Sequence, residues 1–180
     1  KVLIDPGVSL APVRYGLPPH AIELKRLEEK RNEIIGFARK ADVLTISHYH
    51  YDHYMPDTDI YNGKNLFMKN PEKYINKSQY GRAKDFLKFI SKRVKKHFCD
   101  NKSYEFGETK IRFSMPVFHG AEGSKLGYVV MICIEYRGYK LLHASDTQGP
   151  QTKKATEWII EQNPDILIIS GYPTIFLGYR

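Results

Sequence analysis

Cysteine is scarce in this sequence: Cys99 and Cys133 are the only two in 180 residues. Two thiols cannot build a disulfide scaffold, and with Cys133 inside the apolar run 129–134 both read as reduced thiols. Long hydrophobic runs are missing too, none approaching the ~20 residues that span a bilayer. Residues 1–5 lack the charged-then-apolar build of a secretory signal, so a cytoplasmic location with no membrane attachment is expected. There is no internal repeat, no low-complexity linker, no Gly-rich phosphate loop and no Gly-x-Ser-x-Gly elbow. These absences exclude solenoids, P-loop chemistry and the usual serine-hydrolase arrangement; Ser145 lies too close to His143 and Asp146 in sequence to form a relay with them.

With 42% hydrophobic and 27% charged residues, 13 Tyr and 9 Phe, the chain has the composition of a folded protein, and one domain over 1–180 is expected. Its charge is unevenly placed. Residues 64–96 hold eleven basic side chains against two acidic ones, a local +9 within a total of +8. This basic helical insert, residues 64–97, carries the whole excess and suits an anionic partner, including nucleic acid contacted through Lys84, Lys88 and Lys92. The bland reading is that lysines every fourth residue, opposite Ala83, Phe86, Leu87, Ile90 and Val94, are the solvated face of an ordinary helix. Phe86 and Phe89 read as buried, and His97, beside Lys95 and Lys96, as solvated.

Extended and helical patterns alternate along the chain, an α/β rhythm. Residues 2–4 form a short strand ending in the turn signal Asp5-Pro6-Gly7. A surface helix over 19–41 is marked by Leu24, Leu27, Ile34, Ile35 and Ala38, with His20 at its start. Residues 43–46 are a buried strand and 65–68 another. Hairpins are expected around Gly107-Glu108 and around Arg137-Gly138, joining 129–136 to 139–143. A last helix spans 152–162, and 165–170 is the most strand-like segment. The nearly continuous apolar runs suggest strands covered on both faces.

Three of the seven histidines fall within six positions, as His48-x-His50-x-Asp52-His53, straight after the buried strand 43–46. In an extended segment residues i and i+2 point the same way, so His48 and His50 can grip one divalent ion, while Asp52 and His53 turn toward a second. Imidazole and carboxylate with no nearby cysteine argue for an open, catalytic site rather than a closed structural one. His119 and Asp146, each directly after a strand pattern, are the natural further ligands. Tyr49 and Tyr51 alternate with the ligands and face away, toward packing.

This signature, followed in order by an isolated His and an Asp, resembles the metallo-β-lactamase superfamily of hydrolases over nearly the whole chain. Asp5-Pro6-Gly7 and the helix before the signature fall where that family puts them, and the interleaved tyrosines resemble an uncharacterised, largely archaeal branch. The resemblance implies an α/β (α+β) fold, a four-layer αβ/βα sandwich. It also implies that His48, His50 and His119 bind a first metal, that Asp52 and His53 bind a second, and that Asp146 bridges them. The ions would be zinc, with manganese or iron also suited to His/Asp ligands, and the nucleophile a hydroxide held between the two ions, with Asp52, His53 and Asp146 as the catalytic residues. The electron-transfer di-iron branch would have Glu where His50 stands, so hydrolysis rather than redox chemistry is implied.

A final His that completes the second site in that family has no counterpart, since no histidine follows His143. His143 reads as a packed or supporting residue instead. We therefore expect an incomplete polypeptide, cut at both ends. The expected activity is metal-dependent hydrolysis of a phosphodiester or nucleic acid. Hydrolysis of a small ester, thioester or lactone, and nucleic-acid binding beside a vestigial metal site, are the alternatives.

Overall fold

A computed structural model describes residues 1–11, 13, 16–90 and 94–172. The chain divides into two compact units, residues 1–68 with 78–98, and residues 69–77 with 99–180. No helix among the described residues is long and apolar enough to cross a membrane.

The first unit holds a four-stranded parallel sheet in the order β1-β2-β3-β4, formed by β1 (Val2–Ile4), β2 (Val43–Ile46), β3 (Asn65–Met68) and β4 (Lys95–Phe98). Parallel neighbours require crossovers, and helices supply two of the three. Helix α1 (Ala21–Lys40) joins β1 to β2, and α2 (Lys77–Phe89) joins β3 to β4. A capping box starts α1: His20 Nδ1 accepts from the Ile22 N–H at 3.2 Å while Glu23 accepts from the His20 N–H at 2.8 Å. Thus His20, an exposed residue as the sequence suggests, is also the cap. Strand β2 is buried along its whole length, as its unbroken run Val-Leu-Thr-Ile requires of a central parallel strand.

Two expectations for the basic stretch are corrected. Helix α2 ends at Phe89, and residues 95–98 pair in register with β3 as a strand rather than trailing the helix. His97 therefore stacks on Phe67, ring centroids 4.6 Å apart, instead of standing in solvent. Phe86 is buried as expected, whereas Phe89 is 55% exposed. Lys84 and Lys88 are exposed on α2; Lys92 lies outside the described residues.

The second unit holds a five-stranded sheet, order β11-β10-β9-β6-β5. Its strands are β5 (Ser103–Phe106), β6 (Thr109–Phe113), β9 (Ile132–Tyr136), β10 (Tyr139–His143) and β11 (Ile166–Ile168). A two-stranded ribbon pairs β7 (Val117–Phe118) with β8 (Tyr128–Val129). Both expected hairpins form. Arg137 and Gly138 turn the second one with positive φ at each, 52° and 83°, the two-residue geometry that follows strand twist. The run 129–136 is broken, its first residue belonging to the ribbon and 132–136 to the larger sheet.

Helix α3 (Lys153–Gln162) is capped by Thr152, whose hydroxyl accepts from the Ala155 N–H, and closed by Asn163 in the left-handed region. Its Ala155 and Ile159 join Val117, Val129, Met131, Cys133, Leu142 and Ala144 in a core against which Trp158 packs half-buried. Strand β11 pairs parallel with β10, but its three side chains are exposed, against the expectation of cover on both faces. Cys99 and Cys133 are free and buried, as expected of reduced thiols.

Candidate metal centre

The first unit brings the signature histidines together at the exit of β2. Residues 47–53 run as bends and turns rather than as the extended segment expected, with the His53 N–H donating to the His50 carbonyl at 2.9 Å. The turn gathers the rings more tightly than alternation would. His48 Nε2 stands 3.0 Å from His50 Nδ1, and the His48 and His53 ring centroids are 4.1 Å apart. Asp52 is exposed, its Oδ2 3.6 Å from His53 Nε2.

Asp5, read in the sequence only as a turn residue, organises this cluster. Leaving β1, it enters the left-handed region at φ 48°, while its N–H still pairs with the Thr45 carbonyl at 3.0 Å. Its carboxylate accepts from the Ser47 N–H at 2.7 Å and from the Ser47 hydroxyl at 2.6 Å, and its Oδ2 lies 2.8 Å from His53 Nδ1. Because a carboxylate only accepts, His53 carries its proton on Nδ1 and its lone pair on Nε2. The Ser47 hydroxyl, donating to Asp5, accepts in turn from His48 Nδ1 at 3.0 Å, which puts the His48 lone pair on Nε2 as well. One carboxylate thus sets the tautomers of two histidines.

Gly7 completes the frame by absence of a side chain. A Cβ at this position would fall on the backbone of His53 and Tyr54. Around the loop, Tyr49 and Tyr54 are fully buried, and Tyr54 packs edge-on against Phe86 at 4.9 Å. Burial pushes the Tyr54 hydroxyl above its usual range. Tyr51 is 47% exposed, with the Arg82 guanidinium 5.2 Å above its ring.

In the second unit, His119 follows β7 directly and its N–H pairs with the Gly127 carbonyl at 2.9 Å. Its Nε2 lies 3.1 Å from Asp146 Oδ2. Asp146 is half-buried in the turn after β10, where Ser145 adopts a positive φ of 51°. Ser170, beyond β11, pins that turn: its hydroxyl donates to the Ser145 carbonyl at 3.1 Å and accepts from the Gln148 N–H at 3.0 Å. In the sequence Ser170 is merely the end of a strand. By donor type, His48, His50, Asp52 and His53 in the first unit, and His119 and Asp146 in the second, are residues that could hold a metal ion. Such all-His/Asp sets suit zinc, manganese or iron.

A family model described as a beta-lactamase superfamily domain matches residues 1–174. Among curated relatives, a UPF0282 protein of Methanopyrus kandleri is 47% identical over 193 residues, covering 99% of this chain and 66% of the relative. UPF0282 proteins of Thermococcus kodakarensis and Pyrococcus horikoshii are 48% and 49% identical, with 100% and 99% of this chain and 64% and 62% of theirs covered. The chain thus spans just under two thirds of the length of these archaeal relatives. Among solved structures, a possible metal-dependent hydrolase from Veillonella parvula aligns at TM-score 0.58 and 14% identity, covering 92% of this chain and 63% of that one. Zinc-bound PqqB from Methylobacterium extorquens aligns at 0.50 and 14%, covering 78% and 53%. At such identities the structures speak for the fold alone. With its mixed helices and sheets and its signature loop, the chain belongs to the β-lactamase superfamily and has the metallo-β-lactamase fold.

Proposed function

We propose that the chain is the catalytic part of a metal-dependent hydrolase, with His48, His50 and His119 as ligands of one divalent ion, Asp52 and His53 as ligands of another, and Asp146 shared between them. The observation that carries this reading is the cluster of His48, His50 and His53 with their tautomers set by Ser47 and Asp5. Three imidazoles held this close, two with their lone pairs on Nε2, have the chemistry of a cation site rather than of packed core histidines. When bound, divalent ions would acidify a coordinated water to a pKa near 7 and polarise the bond to be broken.

The protein's own part is to hold the donors. Asp5 keeps His53 and, through Ser47, His48 in the ligating tautomer. Asp52 and Asp146 bring the negative charge that favours a cation. His143, at the end of β10, belongs to the sheet and is left as a supporting residue. The substrate we favour is a phosphodiester, including RNA or DNA, because the local +9 of residues 64–96 suits a polyanion.

Elemental analysis of protein purified without chelator tests the metal reading, with about two ions per chain expected and none overturning it. Bis(p-nitrophenyl) phosphate assayed beside p-nitrophenyl acetate, a thioester and a lactone tests the substrate class. Asp146→Asn, which alters a ligand, lowers turnover by at least about 100-fold, the upper end of the loss when an outer partner is removed. Turnover confined to the ester, thioester or lactone would replace the phosphodiester assignment. Oligonucleotide binding with no hydrolysis, unaffected by Asp146→Asn, would instead favour a binding protein with a vestigial site.

A further inference from the structure

We propose that Arg82 of α2, together with Gln79, is a positioning residue for the ligand loop, fixing the two peptide groups on either side of Tyr49 that link His48 to His50. The inference rests on the metal reading above for its purpose, though not for its geometry. Tyr49 lies between the two ligands, and both polar groups of its backbone go to side chains of α2. Its N–H donates to Gln79 Oε1 at 3.4 Å, and its carbonyl accepts from Arg82 Nη1 at 3.0 Å. Gln79 and Arg82 stand three residues apart, on one face of the helix. The same helix holds the loop's side chains: Phe86 takes the edge of Tyr54, whose ring meets Tyr49 at 5.9 Å, and Arg82 covers the ring of Tyr51.

A peptide in a turn has no neighbouring strand to fix its plane. Here two side chains from α2 replace that neighbour, Gln79 at the His48–Tyr49 peptide and Arg82 at the Tyr49–His50 peptide, and these two planes set where the flanking imidazoles point. Gln79 is fully buried, a costly place for an amide unless its polar atoms are bonded. Arginine suits the other half because its planar fork can donate to a carbonyl while its flat face lies on an aromatic ring, which a lysine ammonium cannot do in one geometry. Within the basic stretch Arg82 thus differs in kind from Lys84 and Lys88, whose side chains are exposed on α2.

The test compares Arg82→Ala, Arg82→Lys and Arg82→Gln with a Lys84→Ala/Lys88→Ala control. Zinc affinity of chelator-stripped protein is measured by competition with a chromogenic chelator, and deuterium uptake by residues 47–53 is followed in the metal-free protein. Arg82→Ala should weaken zinc binding by about tenfold or more, the range for loss of a group that orients a ligand. It should also speed exchange of the loop. Arg82→Lys should recover part of both, and the control should change neither. If Arg82→Ala does not fold, Arg82→Gln, which keeps a long polar side chain but loses the charge and the fork, is read in its place. Wild-type zinc affinity and wild-type exchange in a folded Arg82 variant would overturn the proposal. If the wild type takes up no zinc, the hydrolase reading falls, and loop exchange alone still decides whether Arg82 positions the loop.

Discussion

Lys69 is the most unusual single residue in the chain. It is fully buried, its ammonium donating to the carbonyls of Asn70 at 3.1 Å and Lys73 at 2.8 Å, with Asp100 Oδ2 at 3.9 Å. Burial brings its pKa down to about 8 from 10.5, and burial also pushes the Asp100 carboxyl up. Both shifts disfavour the ionised form, so desolvation outweighs the attraction between the two charges. The neighbouring Cys99 thiol is raised for the same reason. The folded pKa of Lys69 lies below the unfolded one, so between pH 8 and 10.5 the unfolded chain holds more protons. The contribution of Lys69 to stability therefore rises with pH across that window. We expect the difference in unfolding free energy between the wild type and Lys69→Met, from urea titrations at about pH 7.5 and about pH 10, to shift in favour of the wild type at the higher value. A difference that does not move with pH would mean that Lys69 titrates as an exposed lysine.

Among elements, the turn from β1 into Gly7 matters most, because it touches the ligand loop without contributing a ligand. Gly7→Ala places a methyl group on the backbone of His53 and Tyr54, where no rotamer change relieves the overlap. The expected loss is at or above the upper end of the roughly 1–3 kcal/mol typical of overpacking, read by urea unfolding. Loss within experimental error would show that the loop can move aside. Elements of this kind differ in how far the sequence announces them. Helix α1, strand β2 and both hairpins show themselves through periodicity and through Gly107 and Gly138, since their signals are local. Strand β4 does not: Lys95-Lys96-His97-Phe98 shows charge where most strands show branched side chains, and only pairing with β3 makes it a strand. The closeness of His48 and His50 is readable, though a turn rather than an extended segment brings it about. Asp5 carries no mark of its role because its partners lie 42 and 48 residues away, and sequence spacing says nothing about such pairings.

At the scale of the whole molecule, charge is the property with consequences. Residues 64–96 concentrate the positive excess, and on α2 Lys84 and Lys88 present it to solvent, Lys88 with an exposed ion pair to Asp85 at 3.5 Å. If a polyanion is the substrate, Lys84→Glu/Lys88→Glu should weaken single-stranded oligonucleotide binding and flatten its log–log dependence on salt by about 1.4, near 0.7 for each phosphate that is no longer neutralised. An unchanged slope would remove the charge argument for nucleic acid and leave a small uncharged ester or lactone as the better substrate class.

The chain has a single tryptophan, Trp158, and it packs against the core of the second unit. Indole fluorescence therefore reports on one unit alone, whereas far-UV ellipticity averages over the helices of both. Superimposable melting curves from the two signals would identify one cooperative block, and separated curves would reveal two. A residue with no part in the chemistry thus supplies a built-in optical probe of how the chain shares its stability.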